Sequence, residues 1–240
     1  MGVTLEVCVD TAAGLAEAVA GGADRIELCA ALAVGGLTPS AGLIDVAARC
    51  GVPVVAMIRP RAGDFVWSEV EVAMMAAEIS AVRSSGLAGV VLGASLPDGR
   101  LDAGVLRRLV AVSDGLELVL HRCIDLTPDM GEALEEAVAL GFDRILTSGG
   151  ETTAEAGAAR IADLVQRSAG RITVMPGSGV NPGNAAMLKG LGITEIHASC
   201  SASIPGTGPG SGRVIEMGFA PLVRRQTAAD QVRALRRALG

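Results

Sequence analysis

Gly22-Ala23-Asp24-Arg25-Ile26 recurs almost unchanged at Gly141-Phe142-Asp143-Arg144-Ile145, and in looser form at residues 86–90 and 192–196. In each copy a glycine follows an Ala-rich helical pattern and precedes a β-branched run. Such a glycine ends a helix in the left-handed conformation that turns the chain back toward a sheet. The copies fall on every second predicted strand, which indicates a βαβα unit repeated four times and favours a closed parallel barrel. The plainer alternative is a common helix-to-strand turn that happens to recur.

The rest of the chain supports a single (β/α)8 barrel of the TIM type, an α/β fold. Eight strands alternating with helices are the number such a barrel needs, and it typically takes about 250 residues. The chain has 240. The predicted strands are residues 5–9, 25–29, 54–58, 89–92, 116–121, 144–147, 172–175 and 195–198, and the clearest predicted helices are 12–20, 69–84, 132–140 and 155–167.

One domain accounts for the whole chain. We assign residues 1–200 to the barrel core. Residues 201–221 are rich in Gly, Pro and Ser, which predicts a loop over the barrel mouth or a disordered segment. Residues 222–240 are predicted to form a closing C-terminal helix of the same domain, with arginines suited to a helix C-terminus.

Composition excludes several classes of protein. Half of the residues are hydrophobic and 19% are charged, which is typical of a packed core rather than of disorder. A net charge of -6 and only 2% aromatic residues argue against nucleic acid as a partner. The sequence shows neither an apolar run long enough to cross a membrane nor the pattern of a secretory signal. Five cysteines without a CxxC motif indicate reduced thiols, so we expect a cytoplasmic protein.

Two neighbouring strands present the same inward pair of side chains. Period-2 alternation turns Glu6 and Cys8 of the first strand, and Glu27 and Cys29 of the second, into the barrel. Neighbouring strands lie about 4.8 Å apart, so the two thiols could share a soft metal ion, above all Cu(I). The alternative is that Cys8 and Cys29 are small buried hydrophobes that fill the core.

Arginines and histidines at strand ends are candidate partners for the inward carboxylates. Arg59 and Arg61 end the third strand with inward parity, and Arg122 follows His121 at the end of the fifth. Together with the carboxylates they would form either a structural polar layer or an anion clamp with acid and base groups beside it. In an enzyme the expected catalytic residues are Glu27, His121 and Glu6.

The two histidines have different expected roles. We favour a functional role for His121, which with Glu6 or Glu27 could also hold a divalent ion. For His197 we expect a ring that is satisfied by a neighbouring side chain. The loop at residues 59–68 contains the only tryptophan, Trp67, and is a candidate lid or the interface of a homodimer.

Gly177-Ser178-Gly179 follows the seventh strand, where barrels often hold phosphate on backbone N–H groups. Ser199, after the eighth strand, would complete this phosphate-binding loop, and Ser148, after the sixth, is a further candidate for substrate binding. A Gly-rich connecting turn is the alternative. The only lysine, Lys189, is predicted on an outer helix, which excludes Schiff-base catalysis in the barrel.

Eight short motifs of this sequence occur together in one known family. They are Leu5-Glu6-Val7-Cys8, Gly22-Ala23-Asp24-Arg25-Ile26-Glu27-Leu28-Cys29, Gly35-Gly36-Leu37-Thr38-Pro39-Ser40, Ile58-Arg59-Pro60-Arg61-Ala62-Gly63-Asp64-Phe65, His121-Arg122-Cys123-Ile124-Asp125, Ile145-Leu146-Thr147-Ser148-Gly149, Gly177-Ser178-Gly179-Val180 and Glu195-Ile196-His197-Ala198-Ser199. With these motifs the sequence resembles the CutC family of copper homeostasis proteins, and the resemblance extends to about residue 201.

The resemblance implies a cytoplasmic barrel that handles copper and binds it through Cys8 and Cys29. Two functions therefore follow from the sequence. The first is copper homeostasis with Cu(I) as the bound ion. The second is an acid–base enzyme of the lyase or isomerase type that acts on a small phosphorylated or anionic metabolite, held by the arginines and the phosphate-binding loop.

Overall fold

A computed structural model describes residues 2–208 and 212–240, and it contains the predicted barrel. Eight parallel strands follow one another around a nearly closed sheet in the order β7-β6-β5-β4-β3-β2-β1-β8. The predicted (β/α)8 architecture is therefore confirmed. The strands are β1 (Thr4–Val9), β2 (Arg25–Leu28), β3 (Val54–Met57), β4 (Gly89–Leu92), β5 (Glu117–Leu120), β6 (Arg144–Thr147), β7 (Thr173–Pro176) and β8 (Glu195–Ala198).

Helices cover the outside of the barrel, and apolar side chains from both layers form the main core. Two short 3-10 helices, Leu32–Val34 and Arg122–Leu126, lie in loops that follow strands. No helix in the described ranges is both long and apolar enough to cross a membrane. The barrel helices are α1 (Ala12–Gly21), α2 (Ala41–Ala47), α3 (Glu69–Ser84), α4 (Ala103–Val112), α5 (Met130–Leu140), α6 (Ala158–Ser168) and α7 (Ala185–Lys189).

The repeated Gly-x-Asp-Arg-Ile pattern performs the same structural task twice. Gly22 and Gly141 end α1 and α5 with φ of 91° and 83°, the left-handed conformation that favours glycine. The aspartate two residues later accepts a hydrogen bond from the first residues of the preceding strand: Asp24 from the N–H of Leu5 at 2.7 Å, and Asp143 from the N–H of Leu118 at 2.8 Å. The pattern thus fixes each helix end to the neighbouring strand.

The arginines of the same pattern form an ionic layer at the N-terminal end of the barrel. Arg25 pairs with Glu6 and Glu195. Arg144 pairs with Glu195 and Glu117, each at 2.8 Å. Above this layer, the middle of the barrel is filled by a small apolar cluster of Cys29, Val55, Met57, Val91, Val119, Leu146 and Met175.

The prediction for residues 201–221 is wrong at its start. Ser201–Pro205 forms strand β9, which pairs antiparallel with β10 (Val223–Thr227). The short helix α8 (Gly212–Glu216) lies between them, and residues 209–211 fall outside the described part. The Ser, Gly and Pro content predicted a loop because pairing with a strand some 20 residues later cannot be read from local composition.

The closing helix begins later than predicted. Residues 223–227 are a strand, and helix α9 spans Ala229–Leu239. Its first turn is fixed by Glu17 of α1, whose carboxylate accepts from the N–H of Ala229 at 2.8 Å. Val232, Leu235 and Leu239 are buried, so α9 takes the place of the eighth helix of the barrel.

Candidate functional site

A cavity of about 770 Å³ opens at the C-terminal ends of the strands. This is the end of the barrel where enzymes of this fold place their active sites. Its lining includes Cys8, Glu27, Arg59, Phe65, His121, Arg122, Ser178, Gly179, Val180, His197, Ser199 and Arg225.

The inward direction predicted for the first two strands agrees with the structure. Leu5 and Val7 belong to the core between strands and helices, whereas Cys8 and Glu27 line the cavity. Cys8 and Glu27 are direct neighbours in the register of β1 and β2. Cys29 instead lies within the apolar cluster, and its thiol donates to Oε2 of Glu27 over 3.6 Å.

Cys8, Glu27 and His197 form a compact buried cluster. Each offers one potential ligand atom, and these atoms all lie within 4.8 Å of one another. Nε2 of His197 lies 3.8 Å from Oε2 of Glu27. Nδ1 of the same ring contacts Oε1 of Glu6 at 2.8 Å, so His197 does find the neighbouring partner predicted for it. Its second nitrogen nevertheless faces the cluster, a role that the sequence did not predict.

Glu6 contacts this cluster from its N-terminal side, through His197, and does not line the cavity. It is completely buried, and Nε of Arg25 donates to its carboxylate at 2.5 Å. Burial by itself opposes ionisation, but the hydrogen bonds and charges of His197 and Arg25 outweigh it and lower the pKa of Glu6 to about 2. A fixed carboxylate of this kind orients the imidazole, whereas the sequence predicted a catalytic role for Glu6 in the alternative enzyme function.

The remaining groups of the cluster have shifted pKa values for different reasons. Burial raises the pKa of Glu27. Burial also raises the pKa of the Cys29 thiol well above its usual value, and the neighbouring Glu27 adds to the effect. For His197, burial is outweighed by the charges of Cys8 and Glu27 and by hydrogen bonds to Cys8 and Glu6, which raise its pKa well above 6.5.

The two arginines at the end of β3 are placed very differently. Arg59 is 6% exposed and lines the cavity, and its guanidinium lies 5.0 Å from the ring centre of Phe65. Arg61 lies outside the cavity lining, where it pairs with Asp64 at 2.9 Å and with Glu71 at 2.5 Å. Of these two arginines, both predicted to bind an anion, the structure brings only Arg59 to the site.

Trp67 packs against its own chain. Its indole N–H donates to the carbonyl of Gly93 at 2.8 Å, and the Arg61 guanidinium lies 4.9 Å from its ring centre. The tryptophan therefore anchors the loop after β3 to the barrel.

His121 is a neutral, buried imidazole at the cavity wall. Its ring centre lies 4.5 Å from that of Phe65. The N–H of Cys123 donates to Nδ1 at 3.1 Å, and Nε2 has no partner among the described residues. Burial, and secondarily the charge of Arg59, lower the pKa of His121 to about 3.

Arg122 and Ser148 are organised by Asp125. The Asp125 carboxylate accepts from Nε of Arg122 at 2.7 Å and from the Ser148 hydroxyl at 3.0 Å. Nη2 of Arg122 also donates to the Ser148 hydroxyl at 2.6 Å. Arg122 lines the cavity, whereas Ser148 lies behind it and holds the arginine in place.

The loop after β7 reaches the cavity through Ser178 and Gly179, and Ser199 follows β8 on the same side. Ser178 and Gly179 have φ of 75° and 73°. Gly177 does not line the cavity. A Cβ at Gly177 would lie 2.5 Å from Cδ1 of Leu146, so this glycine leaves room for the Leu146 side chain of β6.

Comparison with known proteins decides the family. The model of the CutC family matches residues 3–202, more than four fifths of the chain. A family protein CutC from Rhizobium meliloti (strain 1021) is 55% identical over 235 residues, which cover 98% of this chain and 95% of that protein. The chain belongs to the CutC family.

Further relatives extend the agreement. A family protein CutC from Caulobacter vibrioides (strain NA1000 / CB15N) is 51% identical to this CutC-family chain, over 98% of the chain and 97% of that protein. A crystal structure from Streptococcus agalactiae, of a protein named as a candidate copper homeostasis protein CutC, is 31% identical with a TM-score of 0.77. It covers 82% of this chain and 98% of its own.

The matched region contains every site residue predicted from the sequence, and only Arg225 of the cavity lining named above falls beyond it. Sequence reasoning missed His197 as a third member of the cluster, as well as Phe65 and Arg225. The signal for His197 was present, because closing a barrel places the eighth strand beside the first, and Glu6 and His197 are register partners there. The CutC-family site thus offers thiol, imidazole and carboxyl groups beneath a mouth rich in arginine.

Proposed function

We propose that this CutC-family chain binds Cu(I) as cargo in copper homeostasis, in the reducing cytoplasm. The observation that carries the proposal is the buried cluster of Cys8, Glu27 and His197, whose ligand atoms lie within 4.8 Å of one another on the cavity wall. The name of the Streptococcus agalactiae relative supports the same function. All five cysteines are free thiols, as a reducing compartment requires.

The chemistry of the cluster fits a soft cation. Thiolate is the protein ligand that selects Cu(I) most strongly, and imidazole suits copper as well. The contact between Glu6 and Nδ1 of His197 leaves Nε2 turned toward Cys8 and Glu27. A carboxylate behind a metal-binding histidine fixes the ring in this way in many metal sites. Oε1 of Glu27, which is buried without a partner in the described part of the chain, is available as a further oxygen ligand.

The sequence predicted that two cysteines share the copper ion, whereas the proposed site relies mainly on one of them. Cys8 is the principal thiol because it lines the cavity beside His197. Cys29 lies in the apolar cluster next to Glu27, and burial raises the pKa of its thiol well above the usual value. Ionising the buried Cys29 thiol therefore costs more free energy than ionising an exposed thiol. We assign Cys29 a secondary role in copper binding.

The test is a Cu(I) competition titration against a chromophoric chelator under anaerobic, reducing conditions. We expect one tight equivalent in the wild type, and affinity reduced about tenfold or more by Cys8→Ser and by His197→Gln. Cys29→Ser should have a smaller effect. Cys50→Ser is the matched control, because Cys50 is only half-buried and its thiol contacts the Val52 carbonyl away from the cavity. Equal affinity in the wild type and Cys8→Ser would show that the cluster does not hold copper.

A further inference from the structure

Unpartnered polar atoms concentrate at the cavity. Among the residues that the structure describes, four buried side-chain polar atoms lack a hydrogen-bond partner, and three of them belong to residues lining this one cavity: Arg59 Nε, His121 Nε2 and Glu27 Oε1. Buried polar groups in native proteins are nearly always paired, because an unmade hydrogen bond leaves the cost of desolvation uncompensated. Arg59 Nε and His121 Nε2 are hydrogen-bond donors, so their place at one cavity indicates a ligand with acceptor oxygens, whereas Glu27 Oε1 is the acceptor assigned above to copper.

Arg59 carries a buried charge that no carboxylate neutralises within the described ranges. Its Nη1 donates to the carbonyls of Val34 and Gly36 at 2.9 and 3.1 Å, and Nη2 donates to the carbonyl of Gly63 at 2.9 Å. A guanidinium has five N–H groups, so Nε–H and one N–H of Nη2 remain available. Carbonyl dipoles hold the Arg59 side chain in place. Its buried positive charge is still not neutralised, which favours the binding of an anion.

His121 adds a neutral donor to the same wall. Because Nδ1 accepts from the N–H of Cys123, the ring proton is on Nε2, the atom without a partner. The low pKa of this ring keeps it neutral at physiological pH. The ring of Phe65 contacts both side chains, 4.5 Å from the His121 ring centre and 5.0 Å from the Arg59 guanidinium. The N–H groups of Arg59 and His121, whose side chains both pack against Phe65, are suited to donate hydrogen bonds to the oxygens of an oxyanion.

The loop after β7 provides a second group of donors. Ser178, Gly179 and Val180 line the cavity, and their backbone N–H groups donate to no acceptor in the described part of the chain. Ser178 and Gly179 have left-handed backbone conformations, with φ of 75° and 73°. Unpaired backbone N–H groups in turns bind anions, and in barrels the loop after the seventh strand commonly holds phosphate.

We propose that this cavity binds a small phosphorylated organic acid, with its carboxylate on Arg59 and His121 and its phosphate on the backbone N–H groups of residues 178–180. A volume of about 770 Å³ lies in the range of small-molecule sites and exceeds the needs of a single ion. The ligand would lie beside Glu27, the carboxyl group expected from its place in the sequence to transfer a proton in an enzyme. This binding site is additional to the proposed copper function and does not require Cys8.

The test is isothermal titration calorimetry of copper-free, reduced protein with 2-phosphoglycolate, which carries both groups, and with inorganic phosphate and glycolate as single-group probes. We expect 2-phosphoglycolate to bind at one site, about tenfold or more tighter than either single-group probe. Arg59→Gln should weaken that binding by a similar factor. Arg61→Gln, on the same loop but paired with Asp64 and Glu71 outside the cavity, should leave it unchanged.

A wild type that binds none of the three probes would overturn the proposal, as would equal losses in Arg59→Gln and Arg61→Gln. If Arg59→Gln does not fold, NMR of 15N-histidine-labelled wild type decides, since the chain has only two histidines. Saturating 2-phosphoglycolate should then shift Nε2 of His121, and an unshifted signal would contradict the site. Cys8→Ser should keep anion binding while losing copper, so the two proposals fail separately.

Discussion

The side chains at the floor of the cavity have two kinds of role. Glu6 holds a neighbouring ring in place, whereas Cys8 and Glu27 are available to bind a ligand. Alternation along the first two strands predicted that Glu6, Cys8 and Glu27 point inward, and they do. Their partners could not be predicted in the same way. His197 lies 191 residues from Glu6 in sequence, and only the closure of the barrel brings them together. Charge partners that come from distant strands are invisible to local patterning.

Replacement of Glu6 by Gln should destabilise the fold in a pH-dependent manner. Its pKa is lowered from 4.5 to about 2 on folding, so its contribution is complete above pH 4.5 and is lost as the pH falls toward 2. We expect Glu6→Gln to lower the free energy of unfolding by about 3 kcal/mol at neutral pH, and the difference to shrink in acid.

Urea unfolding of both proteins between neutral pH and pH 3 measures this difference. Asp45→Asn is the control, because Asp45 pairs with Arg49 on the surface, where each side chain is 66% exposed. A Glu6→Gln effect that is independent of pH would show that the carboxylate is not ionised in the way described.

The positions of the barrel strands were predicted better than any other feature of this molecule. β-branched runs and the glycine pattern placed all eight barrel strands within a residue or so at either end. The error lies in the tail, where β9 and β10 stabilise each other across a long connection rather than through their own sequence preferences. The start of α9 was missed for the same reason, since residues 223–227 pair as a strand before the helix begins.

The docking of α9 on α1 depends on Gly21. A Cβ at this position would lie 2.9 Å from Cγ1 of Val232 and 3.0 Å from the carbonyl oxygen of Ala229. Alanine normally stabilises a helix relative to glycine, but here it would push α9 away from the barrel. We expect Gly21→Ala to lower the free energy of unfolding by about 1–3 kcal/mol.

The control for this prediction is Gly42→Ala in α2, where an added Cβ meets nothing within 4 Å. It should be neutral or stabilising by up to about 1 kcal/mol. Thermal and urea denaturation of the two variants check the pair. A Gly21→Ala variant as stable as Gly42→Ala would contradict the close packing of the two helices.

As a whole, the molecule separates stability from ligand binding along the barrel axis. The ionic layer of Arg25, Arg144, Glu117 and Glu195 lies at the N-terminal end, and the apolar cluster fills the middle. The cavity, lined by a cysteine, two histidines and several arginines, occupies the C-terminal end. This division is general for the fold, so it was predictable once the barrel was predicted. The ionic layer was not predictable, because the sequence around the repeated arginines does not show which carboxylates pair with them.

The separation predicts that a change at the N-terminal end alters stability but not the site. Arg144→Met breaks ion pairs with Glu117 and Glu195 and should cost about 3 kcal/mol or more of unfolding free energy. The Cu(I) affinity of the folded variant should stay within about twofold of wild type. Arg171→Met is the matched control, since its pair with Glu135 is on the surface. A large loss of Cu(I) affinity in Arg144→Met would show that the two ends are coupled.

The central claim is that the thiol of Cys8 and the imidazole of His197 hold Cu(I) together. X-ray absorption spectroscopy of the wild type loaded with one equivalent of Cu(I) tests it most directly. We predict one sulfur and one imidazole nitrogen in the first shell, with the imidazole contribution absent in His197→Gln. A first shell of two sulfurs without nitrogen would instead assign the ion to Cys8 and Cys29, and one without sulfur would remove copper from the cluster altogether.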